Sequence, residues 1–293
     1  MQDAPEAQSP RVAGIWWPVL WFGLLIGLIY FHVLYQMVVE WGTMEEMGHG
    51  FFVPAMVGYV VWQRREALQK VPLAPHWSGW VLVVLSFVAL VAGQLGAEFF
   101  VMRVGFLMAL VGVLLAFCGW PMVKELAFPL LLLPFMIRIP LFVYSQITLP
   151  LQLLSSSLAE SGLSLIGIPV FRDGNVLELA SQKLSVVEAC SGIRSLLSLG
   201  FLSLIYGYLV ESRTWLRVAL FILTIPIAIS ANASRIVMTG ILSEWNRDYA
   251  EGIYHIMEGW VVFVVAMVAL VFTHRLILMA LSIRSRRHSH VPA

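Results

Sequence analysis

Charge is what this 293-residue chain has least of, since only 12% of its residues are charged while 60% are hydrophobic. Soluble domains carry about twice that share of charge, so a water-facing surface of ordinary size is excluded. Net charge is +1, with no bulk basic field to hold nucleic acid. No Gly-rich phosphate loop and no dinucleotide fingerprint occurs. With two cysteines, Cys118 and Cys190, a disulfide framework is excluded as well. Residues 1–10 lack Lys and Arg but carry Asp3 and Glu6, and the apolar run from Ile15 is too long for a signal core. It reads as a first spanning helix. No His, Cys, Asp or Glu group has metal-ligand spacing, so neither a metal nor a cofactor is expected.

What remains is apolar runs, and the mean hydropathy is +0.86. A membrane helix needs about 20 apolar residues, and in hydrocarbon each backbone group must be bonded within its own segment. The expected fold is an all-α integral membrane protein. Its eight spans are Trp16–Val39, Met47–Trp62, Gly79–Leu95, Val101–Gly119, Leu126–Tyr144, Gly192–Val210, Leu216–Val237 and Tyr254–Leu278. Arg64, Arg65, Lys70, Lys124, Arg213, Arg217, Arg284, Arg286 and Arg287 fall on one side of that alternation, which assigns that side and both termini to the cytoplasm. The domain reading is a cytoplasmic tail 1–14, a polytopic domain 15–283 and a basic, disordered tail 284–293 suited to anionic lipid.

Residues 145–191 form the sizeable extracytoplasmic segment. Pro150–Ile168 reads as an amphipathic interfacial helix with a Ser155-Ser156-Ser157 face. Asp173-Gly174 between alternating apolar flanks reads as a hairpin, with a further strand at Leu184–Val187. Trp16, Trp17, Trp41, Trp120, Trp245 and Trp260 read as an interfacial belt.

Chemistry-bearing residues gather at the outer face. Cys190, in Glu188-Ala189-Cys190-Ser191-Gly192-Ile193-Arg194-Ser195, stands where the outer segment becomes span six. A helix N-terminus and Arg194 one turn on would both lower a thiol pKa. The competing reading is a buried apolar cysteine, which is how Cys118 reads. Arg235, closing span seven in Asn232-Ala233-Ser234-Arg235, is either a snorkelling arginine or a fixed charge for an oxyanion. Asn232 shares its helix face. His255 opens span eight with Glu258 nearby. It is either an interfacial residue or a proton shuttle. His49, between Gly48 and Gly50, is either a helix-entry turn residue or a substrate-binding one. The topology would bring a thiol, a guanidinium and an imidazole to one face, as a nucleophile, an oxyanion stabiliser and a general acid/base.

These motifs resemble those of the exosortase/archaeosortase family. The resemblance rests on Glu188–Ser195, on Asn232–Arg235, on His255 with Gly259-Trp260, and on His49-Gly50 followed by Val53-Pro54. It implies a bacterial inner-membrane protein whose active site faces the periplasm. Cys190 would be the nucleophile and Arg235 and His255 its partners, supported by Glu188, Ser191, Arg194, Asn232, His49 and Glu258. It implies membrane-anchored substrates with a C-terminal sorting tail: a Pro-Glu-Pro-type motif, a membrane helix and a basic end. The processed protein would pass to an acceptor in a setting of exopolysaccharide and biofilm genes. The competing classes are a transporter, a scaffold of an envelope polysaccharide machine, and a lipid acyltransferase.

Overall fold

The computed structural model describes residues 16–180, 182–186, 192–245 and 253–288, with side chains for 17–180, 182–186, 192–244 and 259–283. The chain divides into two compact units, one ending at Pro140 and the other beginning at Leu141.

In the first unit, α1 (Trp16–Ile29) and α2 (Phe31–Thr43) meet at a 72° bend. The expected single span Trp16–Val39 is therefore broken. Neither Pro nor Gly stands at the break; Tyr30 sits there buried, donating its hydroxyl proton to the Ser86 carbonyl at 2.7 Å. A 3-10 segment, Glu45–Phe51, and α3 (Phe52–Gln63) occupy the expected span Met47–Trp62. Twelve residues of α-helix reach about 18 Å, well short of the roughly 30 Å of hydrocarbon.

After a one-turn α4 (Arg65–Leu68) come α5 (Ser78–Leu95) and α6 (Phe99–Phe117), which pack backbone to backbone. A Cβ on Gly79 would stand 2.2 Å from the Ala116 nitrogen, a contact that only glycine permits. Cys118 lies at the end of α6 in an apolar cluster with Leu68, Met122 and Leu126, as its packing role requires. The expected span Leu126–Tyr144 is also broken. Within it, α8 (Ala127–Leu132) follows α7 (Trp120–Glu125) and gives way to a 3-10 turn, Leu133–Met136. Pro129, Pro134 and Pro140 each remove a backbone donor along this stretch. Trp41, expected in the interfacial belt, is buried instead and donates its indole N–H to the Met136 carbonyl at 2.9 Å.

In the second unit, α9 (Leu141–Leu165) runs unbroken through Pro150. Its polarity is the reverse of a helix lying on a membrane surface with its serines outward. Thr148, Gln152, Ser155 and Ser156 are buried, while Leu149, Leu153, Leu154 and Leu158 are exposed. A helix in lipid turns its polar residues inward. A three-stranded antiparallel sheet follows, ordered β1 (Val170–Asp173), β2 (Val176–Leu179) and β3 (Lys183–Ser185). The hairpin turns where Asp173-Gly174 predicts, and Gly174 has φ of 61°. Leu177, Leu179, Leu184 and Val186 pack with Ala159 and Leu163 of α9 and with Ile236.

Three long helices complete the unit: α10 (Ile193–Val210), α11 (Thr214–Trp245) and α12 (Ile253–His288). Leu199, Leu220, Ala228, Ala266 and Leu270 join them in one core. Two expected boundaries move. α11 continues past Val237, so Arg235 lies inside the helix and not at its end. α12 continues into the residues expected as a disordered tail. Five of the described helices are long and apolar enough to cross a bilayer: α5, α6, α10, α11 and α12. Counting two pairs of consecutive helices as one broken span each raises the number to seven, against the eight expected.

Candidate active site

The site residues that fall within the described residues of the second unit are organised by α11. Asn232 and Arg235 are three residues apart in this helix, so they project from one face. Asn232 is 4% exposed, and its amide lies against Gly192. A Cβ on Gly192 would stand 3.2 Å from Asn232 Nδ2. Gly192 also has φ of 71°, in the left-handed region, where it turns the incoming chain into the first residue of α10. The helix α10 thus begins directly on the Asn232 side chain.

Arg235 reaches α12. Its guanidinium lies over Gly259, where a Cβ would stand 3.4 Å from Cζ and 3.5 Å from each terminal nitrogen. Gly259 is one helical turn beyond His255 and one residue beyond Glu258. α12 is helical through both positions, and their side chains lie outside the described residues. Glu188, Cys190 and Ser191 also lie outside them. Arg194, in the first turn of α10, is partly buried.

A crevice lies beside Asn232, lined by Leu151 and Ser155 of α9, Gly192 and Leu196, and Ala228 and Ile229 of α11. Its empty space is about one water molecule in size. Ser155 is 1% exposed. Reading the serine triplet as an outer face missed this role. The available signal was the leucines on the other faces of α9, which mark those faces as the lipid side.

His49 lies in the first unit. It is 8% exposed, and its Nε2–H donates to the Phe135 carbonyl at 3.0 Å. Burial holds its pKa below the ordinary histidine value. A neutral imidazole with one tautomer fixed by a backbone carbonyl is thus built into the 3-10 segment.

Sequence reasoning also missed a buried polar network at the opposite end of α10. Tyr206 donates its hydroxyl to His274 Nδ1 at 2.9 Å, and His274 Nε2–H donates to Glu211 at 3.3 Å. The backbone N–H of Arg213 holds the Glu211 carboxyl below its usual range. Glu211 and His274 are 63 residues apart in sequence, and no local pattern links them.

The sequence model of the family described as transmembrane exosortase matches residues 41–272, which takes in His49, Asn232, Arg235 and His255. The chain belongs to the transmembrane exosortase family. No curated protein and no solved structure matches it. As a multi-pass membrane protein, this exosortase presents lipid with such side chains as Trp260, Val264, Val268 and Phe272 along α12, all exposed and apolar. The electrostatics of the site follow from the helices. The N-terminal end of α10 carries partial positive charge from its unbonded N–H groups, and Arg235 adds a full positive charge from α11.

Proposed function

We propose that this exosortase is a membrane-embedded cysteine transpeptidase or protease that cleaves the C-terminal sorting tails of secreted proteins through a thioester on Cys190. The observation that carries the reading is the pair of contacts made by one face of α11. Asn232 touches Gly192, two residues beyond Cys190, and Arg235 touches Gly259, one turn beyond His255. Both neighbours are glycines, so the polar side chains of α11 meet backbone and are not held off by a Cβ.

In this mechanism the Cys190 thiol gives its proton to His255 and the sulfur attacks the scissile carbonyl carbon. The carbonyl oxygen takes the negative charge and is stabilised by Arg235 and the start of α10. The tetrahedral adduct collapses, the C–N bond breaks, and His255 passes the proton to the leaving amine. A thioester remains. His255 then takes a proton from the acceptor, whose attack releases the product and restores the thiol. Asn232 positions the turn at Gly192. Glu188, Ser191, Arg194 and Glu258 support the site, and His49 contributes to substrate binding.

The substrate tail would consist of a Pro-Glu-Pro-type motif, an apolar helix and a basic end. It would enter laterally from lipid, because its own apolar helix is held in the bilayer. The excess of Lys and Arg in one set of loops supports a site on the opposite, periplasmic face of a bacterial inner membrane.

The deciding experiment co-produces a tailed partner protein with the wild-type chain or with Cys190→Ala and reads the new C-terminus by mass spectrometry. Wild type should yield a trimmed protein carrying the acceptor group. Cys190→Ala should yield only full-length partner while remaining folded and monodisperse in detergent. Trimming by the folded Cys190→Ala protein would sink the mechanism.

A further inference from the structure

β3 is an edge strand of the small sheet, and among the described residues no further strand pairs with it. In an antiparallel pair, residues facing each other alternate between bonded and non-bonded positions. Val186 N–H donates to the Asn175 carbonyl at 3.0 Å and Leu179 N–H to the Gln182 carbonyl at 2.9 Å. Leu184 opposite Leu177 lies midway in the register, so it too is a bonded position. Lys183 and Ser185 fall between. Their N–H and C=O groups therefore point away from β2, and among the described residues nothing bonds to them. The other edge differs. β1 packs beside α9 and is tied to it by Arg172 Nε donating to Glu160 at 2.8 Å.

The open edge is held firmly from beneath. Leu184 and Val186 are buried in the cluster with Ala159, Leu163 and Ile236. The hairpin tip is pinned to α9 by Ser156 donating to the Gly174 carbonyl at 3.1 Å and by Asn175 Nδ2 donating to Gln152 at 3.2 Å. A lysine on an edge strand often guards against pairing. Here the Lys183 ammonium is drawn across the sheet to Glu178, its register partner on β2.

We propose that the free edge of β3 receives an extended segment of the substrate as a fourth strand. The proposal rests on the protease reading above and specifies how that enzyme holds its substrate. Continuity of the chain argues for this occupant. β3 ends at Ser185, five residues before Cys190 in the sequence, and Gly192 lies against Asn232. Strand addition supplies main-chain hydrogen bonds whatever the side chains, which suits an enzyme acting on many secreted proteins. A preformed edge also lowers the ordering cost of capture.

Ser185→Pro tests the idea. It removes an outward N–H and leaves the bonds of Leu184 and Val186 to β2 intact. Ser185→Ala keeps the N–H. The probe is a protein ending in a Pro-Glu-Pro segment, an apolar helix of about 20 residues and a basic end. Ser185→Pro should slow its processing by roughly tenfold or more, as loss of a hydrogen bond and a steric block on pairing require, while Ser185→Ala stays within about twofold. Processing by Ser185→Pro at the wild-type rate would overturn the proposal.

A second measurement covers misfolding of the proline variant and failure of the protease reading. A photo-cross-linking residue replaces Lys183, or Phe171 on β1 as control, in Cys190→Ala protein co-produced with the same probe. Cross-links at 183 and not at 171 support the edge even if wild type cleaves nothing. Equal or absent cross-linking at the two positions, or a cross-link between two copies of the enzyme, would overturn it.

Discussion

The guanidinium of Arg235 lies over Gly259, with a would-be Cβ 3.4 Å from Cζ. That distance is ordinary van der Waals contact, so it separates two substitutions. Gly259→Ala should be accepted and should stabilise α12 by about 0.5–1 kcal/mol, the helix preference for Ala over Gly. Gly259→Leu cannot be accepted without pushing the guanidinium aside. If Arg235 serves the reacting carbonyl, Gly259→Leu should lower turnover of a tailed substrate by roughly a hundredfold with the protein still folded. Arg235→Lys should fall in the same range, because an ammonium does not reproduce the planar fork. Turnover by Gly259→Leu equal to wild type would remove Arg235 from the chemistry.

Gly192 faces a different constraint, since its strain lies in the backbone. At φ of 71° an alanine costs about 1–2 kcal/mol, and its methyl would also press on the Asn232 amide at 3.2 Å. Gly192→Ala should therefore lower unfolding stability in detergent by more than the φ strain alone. Adding Asn232→Ala should recover the contact part and leave the strain. Full recovery in the double variant would mean that the left-handed turn costs nothing.

How much of this was legible in the sequence depends on the range of the forces involved. The membrane class follows from composition, because lipid tolerates so little charge. The hairpin at Asp173-Gly174 is equally local, since a tight turn needs that chemistry wherever it sits. The breaks near Pro129, Pro134 and Pro140 carry a local signal too, outweighed by the apolarity of the run. The bend at Tyr30 has no local signal. It is fixed by a hydrogen bond to Ser86, 56 residues away. Ser155 and Ser156 look like a surface face until the leucines around them are assigned to lipid. Among the site residues, the spacing of Asn232 and Arg235 on one helix face was readable. Their contacts with Gly192 and Gly259 were not, because a glycine that admits a neighbour looks like a glycine that ends a helix.

His49 should make the first unit sensitive to acid. Its folded pKa is depressed by burial, so the unfolded chain binds a proton more readily than the folded one. Stability is then complete above the unfolded value of about 6.5 and is lost as pH falls through it toward the folded pKa. His49→Gln retains an N–H to donate to the Phe135 carbonyl and does not titrate. Thermal stability measured between pH 8 and pH 5 should fall more steeply for wild type than for His49→Gln. Parallel curves would show that the imidazole titrates alike in both states.

The ion pair between Arg103 and Glu40 joins α6 to α2, with Arg103 Nη2 donating to Glu40 at 2.7 Å. The arginine side chain is 3% exposed and the carboxylate 18%. Two charges this buried have paid a desolvation cost that their attraction only roughly offsets. Removing one partner should therefore hurt far more than removing both. Glu40→Leu, which strands a buried guanidinium, should destabilise by about 3–5 kcal/mol. Glu40→Leu with Arg103→Met should regain most of that loss, because the pair is replaced by apolar volume in an apolar setting. The comparison uses thermal unfolding of the three proteins in one detergent. A double variant as unstable as Glu40→Leu alone would mean that Arg103 is held by its packing, including the Phe99 ring 5.8 Å from its Cζ, and that Glu40 does not neutralise it.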